Sequence, residues 1–294
     1  MAFIQHSIQK LKGMNMNKKL ILVFTLILTA FLMIGAVSAG GWFDFLGGAG
    51  SNSNDNQTLV VGVGPDLPPF NYKDGNGQYI GFDNELAKEV AKRNNWTLKI
   101  QPLIDWNSKD NEVNSNEIDC IWSDLTIEGR ENNFLWSDPY FNNTQVFVLR
   151  TDNQSATLDD LKGKTVEVLD SSSALESLNG QNKTLNDTFA KVTQVSDYNT
   201  AFLDLQSGVC DVVICDVGYA NYQLNETYAN EPFVIIDEPL QYEKYGIAFK
   251  KGNDDLRNQV QKTLDEMFKD GTVDKIAQNY SNYQIPQRLI APTH

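Results

Sequence analysis

Residues 119–132 read DCIWSDLTIEGREN. A short apolar run carrying Trp122 breaks into Ser123-Asp124-Leu125-Thr126, and four residues on stands Arg130, in a stretch with few other bases. Hydroxyls, a carboxylate and one arginine at the end of a strand make a cluster of hydrogen-bonding groups around one fixed positive charge. Two further places carry comparable chemistry. Ser172 and Ser173 stand where a helix begins, and the free N–H groups and dipole of a helix start favour a carboxylate. Ordinary N-capping is the other use of those hydroxyls, and both can hold at once. Asp216 closes the apolar run CDVVICD, where it could serve a ligand beyond the strand end or cap the helix that follows.

The chain shows no arrangement for nucleophilic, metal or nucleotide chemistry: no Ser-His-Asp order, no Cys/His metal spacing and no phosphate loop. Gly62-Val63-Gly64 is too short for a nucleotide fingerprint, and the two histidines, His6 and His294, are terminal. Neither an enzyme nor a cofactor is expected. The formal charge is −14. The four bases before residue 40 lie in an apolar leader, and without them 20 bases face 38 acids, a charge of −18. Such a surface repels phosphate backbones, which argues against nucleic acid as a partner.

These residues sit on regular elements. TLVVGVG reads as a buried strand, FNYKDGNGQYIGF as a hairpin turned at Asp74-Gly75-Asn76-Gly77, and Asp83 as the cap of a helix carrying Leu86, Ala87, Val90 and Ala91. TLKIQPL, IDCIW and Gln145–Arg150 read as strands, with a polar loop and short helix across Leu103–Asn116. A second unit follows with the same alternation. Its strands are TVEVLD, KVTQVS, CDVVICD and FVIID, and its helices run from Ser171 to Leu178, Thr200 to Leu205 and Val217 to Leu224. Tyr245 to Lys251 reads as one strand. Leu256, Val260, Leu264, Met267 and Phe268 mark a long helix ended by Asp270-Gly271, and a last helix spans Val273 to Tyr280. Strands alternating with helices predict an α/β protein with parallel sheets in two units, and a cleft between them suits a small ligand. Cys120, Cys210 and Cys215 read as small buried hydrophobes; Cys210 and Cys215 on one extended strand would lie roughly 16 Å apart, too far to bond. A bridge from Cys120 to another strand stays open.

Lys18-Lys19, the apolar run Leu20–Val37 and Ser38-Ala39-Gly40 describe a secretory signal peptide, residues 1–39, or an uncleaved anchor, since 18 apolar residues are at the lower edge of a bilayer span. Residues 40–56 read as a flexible linker rich in Gly, Ser and Asn, with Trp42, Phe43 and Phe45 able to touch a membrane surface. Asn56, Asn95, Asn142, Asn153, Asn182, Asn186, Asn225 and Asn279 open Asn-x-Ser/Thr triplets, candidate glycan sites in an exported chain.

Five stretches, in order, resemble the extracellular solute-binding proteins of ABC importers, in the polar amino-acid family. They are DLPPFNYKDGNGQYIGFDNELAKEVAKR, IDWNSKDNEVNSNEIDCIWSDLT with Arg130 and WSDPYF, LKGKTVEVLDSSSALESL, SDYNTAFLDLQSGVCDVVICD, and YGIAFKKGNDDLRNQVQKTLDEMFKDGTVDKI. The resemblance covers about residues 58–283. It implies two Rossmann-like lobes joined by two crossover strands, with residues 57–149 and 243–290 forming the first lobe and 150–242 the second. It implies further that Arg130 grips the α-carboxylate of an amino acid, for which a planar, permanently charged fork is suited. Thr126 would assist, with Ser123 and Asp124 offering a carbonyl or side chain; Ser172 and Ser173 would close from the second lobe, and Asp216 would accept the α-ammonium. Trp106 and Trp122 are the aromatic candidates beside the ligand side chain, and Trp122 fits a core position equally well. The chain departs from the family pattern twice: Thr126 and Arg130 are four apart where five is usual, and Leu67 stands where an aromatic is usual. The implied protein is a monomer outside the cytoplasm that delivers an amino acid to an ABC permease. A dehydratase on the same fold, with Asp124, Glu128 or Glu176 as a general acid, and a membrane-anchored amino-acid sensor are the other readings.

Overall fold

The computed structural model describes residues 57–292 except Pro65 and Asp152. The leader, the linker to residue 56 with Asn56 itself, His6 and His294 lie outside the described residues.

Two sheets organise the molecule. The first is built from β1 (Thr58–Val63), β4 (Thr97–Pro102), β5 (Cys120–Ile121), β6 (Leu135–Trp136) and β13 (Ala248–Phe249), in the order β4-β1-β5-β13-β6. The second contains β7 (Phe141–Arg150), β8 (Thr165–Leu169), β9 (Lys191–Val195), β10 (Val212–Asp216) and β11 (Phe233–Ile235), in the order β11-β7-β10-β8-β9, with β12 (Gln241–Tyr245) also paired to β7. The hairpin of β2 (Tyr72–Lys73) and β3 (Tyr79–Ile80) turns as expected, with Asp74 Oδ1 accepting from the N–H groups of Asn76 and Gln78 at 2.8 and 2.9 Å.

The sheets are mixed, which corrects the parallel expectation. β4, β1 and β5 run parallel, as do β10, β8 and β9. β13 opposes β5 and β6, and β7 opposes β10, β11 and β12. The parallel strands are linked by helical crossovers, whereas β7 and β13 each enter their sheet directly from the other sheet. The chain thus passes between the lobes twice. β7 carries it out, β12 leads it back to β13, and the two strands pair with each other from Gln241 opposite Gln145 to Tyr245 opposite Phe141. The run Tyr245–Lys251 is accordingly two strands, broken at Gly246-Ile247.

The helices are α1 (Phe82–Arg93), α2 (Lys109–Asn114), α3 (Ser173–Asn179), α4 (Lys183–Asn186), α5 (Tyr198–Ser207), α6 (Val217–Tyr222), α7 (Asp254–Lys269) and α8 (Thr272–Gln278). α1 opens at Gly81, not at Asp83. Gly81 has φ 118°, and a Cβ there would lie 2.2 Å from the Phe70 carbonyl oxygen, so the approach to the helix admits no side chain. Asp83 falls inside the first turn and is buried, with another task described below. α6 stops at Tyr222 and continues as a π-helical turn, Gln223–Thr227.

One core joins β1, α1 and β5 to the chain's last helices: Leu59, Val61, Leu86 and Val90 share a cluster with Leu256, Val260, Leu264, Met267 and Val273. Arg93 reinforces that packing with a 2.8 Å contact to Asp270. The second sheet carries separate clusters on its two faces, one with Val213 and Cys215 against α5, the other with Val212 and Ile214 against α3. All three cysteines are free and buried, as expected from their apolar surroundings in the sequence. Among the triplet asparagines, Asn95, Asn142, Asn153, Asn225 and Asn279 are exposed. The amides of Asn182 and Asn186 turn inward to Ser177 and to the Leu178 and Leu240 carbonyls. Among the described residues no helix is long and apolar enough to cross a membrane.

Candidate ligand-binding site

The turn after β5 is tied down before it presents any chemistry. Ser123 Oγ accepts from Gly64 N at 2.9 Å and donates to Asp124 Oδ1 at 3.1 Å. Asp124 takes a left-handed conformation, φ 41°, a region that aspartate and asparagine enter more readily than most residues. Its N–H donates to Asp83 Oδ2 at 2.8 Å, and Tyr140 donates to the other oxygen at 2.8 Å. Asp83 is therefore the peg on which the turn hangs. Burial pushes its carboxyl up to about 7 against the pull of those donors.

Arg130 is 7% exposed. Its Nη2 donates to Glu176 Oε1 on α3 at 2.9 Å and to the Ser171 carbonyl at 3.4 Å; its Nη1 donates to the Thr126 carbonyl at 3.4 Å. The guanidinium thus reaches from the first lobe to the second. Thr126 lies beside it, yet its hydroxyl donates to Glu243 Oε2 at 2.9 Å, and what Thr126 gives Arg130 is its carbonyl.

Asp216 ends β10 and is 8% exposed. Its side chain makes no capping bond to α6. It accepts instead from Asn143 Nδ2 at 2.5 Å, Tyr245 OH at 2.6 Å, Gln145 Nε2 at 2.8 Å and Tyr198 OH at 3.1 Å. Every one of these donors is uncharged. Burial, and then the neighbouring Glu243, push the Asp216 carboxyl up to about 6. Glu243, 2% exposed, shares the amides of Asn143 and Gln145 with Asp216 and also accepts from Gln241. Asp124 is pushed well above the carboxylate range, first by burial and then by Asp216.

A cavity of about 160 Å³ separates these groups. Of the ten residues singled out from sequence, nine line it: Leu67, Trp106, Ser123, Asp124, Thr126, Arg130, Ser172, Ser173 and Asp216. Ser172 caps α3, its Oγ accepting from Leu175 N at 3.2 Å, and Ser173 Oγ accepts from Gln145 at 3.3 Å. Trp122 is the exception. It is 0% exposed and packs edge-on to Tyr140 in the first-lobe core, 6.4 Å between centroids. Its chain neighbour Ser123, not Trp122 itself, reaches the cavity.

Sequence reading does not single out Gln145, Tyr198, Asn143, Tyr245 or Glu243, which belong to this hydrogen-bond network, and offers Glu176 only as a general acid. A signal exists for two of them: Asn143 and Gln145 are amides inside the long apolar strand FNNTQVFVLR, where burial demands a partner. Glu243 gives none, because QYEKY looks like a half-exposed strand with one more surface acid.

The chain matches known proteins across the same span as these elements. Residues 59–283 fit the model of the bacterial extracellular solute-binding proteins, family 3. The probable amino-acid-binding protein YxeM of Bacillus subtilis is 29% identical over 266 residues, 88% of this chain and 95% of that protein. The L-cystine-binding protein TcyJ of Escherichia coli K12 is 29% identical over 226 residues, 76% of this chain and 82% of that one. Among solved structures, an ancestral arginine-binding protein bound to arginine superposes with a TM-score of 0.69 at 36% identity, covering 76% of this chain and 98% of that one. A fold of two mixed sheets joined by β7 and β12, with a family match over most of its length, places this chain among the family 3 extracellular solute-binding proteins.

Proposed function

We propose that this protein captures a free α-amino acid outside the cytoplasm and hands it to the permease of an ABC importer. One observation carries the reading. A buried arginine and a buried carboxylate with no cationic partner among the described residues line the same small cavity, one charge for each end of a zwitterion. Arg130 takes the α-carboxylate in its fork, with Ser171, Ser172 and Ser173 closing from the second lobe. Asp216 takes the α-ammonium, held in place by Asn143, Gln145, Tyr198 and Tyr245. Leu67 and Trp106 flank the side chain. β7 and β12 are the hinge about which the lobes close on the ligand. The protein works as a monomer, and the relatives' names, which include amino-acid-binding and L-cystine-binding proteins, agree with the ligand class.

The test is thermal melting of the purified protein against the twenty amino acids and cystine. A ligand that binds only the native state raises the midpoint by mass action. One or a few L-amino acids should give a shift, and Arg130→Ala should lose it while melting cooperatively. Truncating one partner of a buried charge pair costs about 2–5 kcal/mol, so affinity should fall at least about thirtyfold. An undiminished shift in Arg130→Ala would remove the carboxylate assignment.

A further inference from the structure

The cavity holds more acidic groups than a zwitterion would serve. Four carboxylates line it, and Arg130 is the one base among the lining residues. Two of the four have other work at the exposed rim: Asp197 caps α5 by accepting from Thr200 N at 2.8 Å, and Asp66 accepts from Asn199 Nδ2 at 2.7 Å. Asp216 and Asp124 face inward. If Arg130 takes the α-carboxylate and Asp216 the α-ammonium, Asp124 is left over. Its carboxylate has the Ser123 hydroxyl at 3.1 Å and no ion pair among the described residues. Arg130 makes its ion pair with Glu176 at 2.9 Å and none with Asp124. A donor is also wanting on the same wall. Gln145 lines the cavity and is 2% exposed, and its Oε1 has no hydrogen-bond donor among the described residues. An acid with no cationic partner and an unserved acceptor beside one cavity both favour a ligand that brings a second cationic, proton-donating group, beside which Asp124 would ionise.

We propose that Asp124 is a specificity-determining residue that reads a second positive charge, so that the preferred ligand is an α-amino acid with a cationic side chain. This rests on the amino-acid reading above and goes beyond it to the ligand class. The apolar lining suits such a ligand: Leu67, Leu103 and Trp106 offer walls for a methylene stem, while the charged head meets the carboxylate. Nothing in this requires an aromatic ring at position 67. The charge is supplied by the inward carboxylate that this chain carries in the Ser123-Asp124 turn.

The discriminating pair of probes is L-lysine and L-norleucine, alike in length and differing in the terminal ammonium. Calorimetric titration of the purified protein, with L-ornithine, L-arginine and L-glutamine as further probes, should give lysine at least about tenfold tighter than norleucine, a difference of about 1.4 kcal/mol. Asp124→Asn should erase that preference, bringing lysine and norleucine to within about threefold of each other in the variant. Asparagine tolerates the left-handed conformation and leaves the backbone bond to Asp83 in place, so the turn should survive. Asp124→Ser serves as a second variant, with a cooperative melt required of each. Norleucine or glutamine bound as tightly as lysine by the unaltered protein would overturn the proposal and leave amino-acid binding standing. A lysine preference unchanged in both Asp124 variants would overturn it too. Failure of every amino acid to bind would instead remove the reading on which it rests.

Discussion

The Arg130 end of the cavity and its Asp216 end face the same space with opposite charge, and they are built differently. Arg130 comes from a turn of a few residues and already has an ionic partner, Glu176, which is half-exposed on the opposite lobe. Asp216 has four donors drawn from β7, α5 and β12, and all four are neutral. One end is charge-balanced before any ligand arrives; the other is hydrogen-bonded but not balanced. An arriving carboxylate must share the guanidinium with an acid that is already there. An arriving ammonium meets a buried anion with no competing cation among the described residues. Satisfying hydrogen bonds and satisfying charge are separate requirements, and this site separates them in space. The ammonium should therefore contribute more net free energy than the carboxylate.

The sharpest way to break that contrast is Asp216→Asn. It keeps the shape and removes the charge. Affinity for α-amino ligands should fall about a hundredfold, in keeping with a cost of about 2–5 kcal/mol for losing one partner of a buried pair. Deaminated analogues should lose far less, because they never met that charge. Equal losses in paired titrations would mean that Asp216 holds the hinge network together and does not face the ammonium. A milder test uses pH. The carboxyl of Asp216 is raised to about 6 without ligand, and an ammonium beside it would draw it back down. Protons then compete with the ligand below about pH 6, and affinity should fall by up to about tenfold per unit there and level off above about pH 7. Asp124 is shifted in the same direction, so its contribution has the same sign. Affinity that is flat from pH 5 to 8 in calorimetry, or that rises as pH falls, would contradict this.

How legible each feature is in the sequence depends on how local it is. Arg130, Asp216, Ser172 and Ser173 stand where patterned runs stop, and a strand or helix end is visible in the pattern. Trp122 is left open by sequence, ligand-facing or core, because a strand buried on both faces has no alternation to show which side a residue takes; its neighbours Cys120 and Ile121 are both fully buried. Asp83 passes for a cap because a helix start is easily displaced by two residues, and the true start is fixed by the close approach of Gly81 to Phe70. Strand direction escapes for a different reason. It is set by how the connections run in space: β7 and β13 enter their sheets from the other lobe and pair antiparallel there, which no local pattern announces. Glu243 is the least legible of all. Its burial comes from pairing with Asn143, a hundred residues earlier in the chain.

The smallest effect is expected at Glu176, and it sharpens the contrast most finely. Glu176 is 52% exposed, so its bond to Arg130 is screened by water and is worth at most about 1 kcal/mol. If it merely occupies part of the arginine fork, Glu176→Gln should let the ligand carboxylate use the whole fork, and affinity should rise by a few-fold, bounded by that same ~1 kcal/mol. The unliganded protein should melt at nearly the same temperature, since an exposed pair adds little to folding. The opposite result would be informative in its own way. A loss of about tenfold or more in Glu176→Gln, with an unchanged melt, would mean that the acid orients Arg130 for the ligand and that the two ends of the cavity are more alike than their partners suggest. Titrating Asp216→Asn with Glu176→Gln in one double-mutant cycle separates the two cases. Independent ends give additive changes to within about 0.5 kcal/mol, whereas a cavity acting as one electrostatic unit does not.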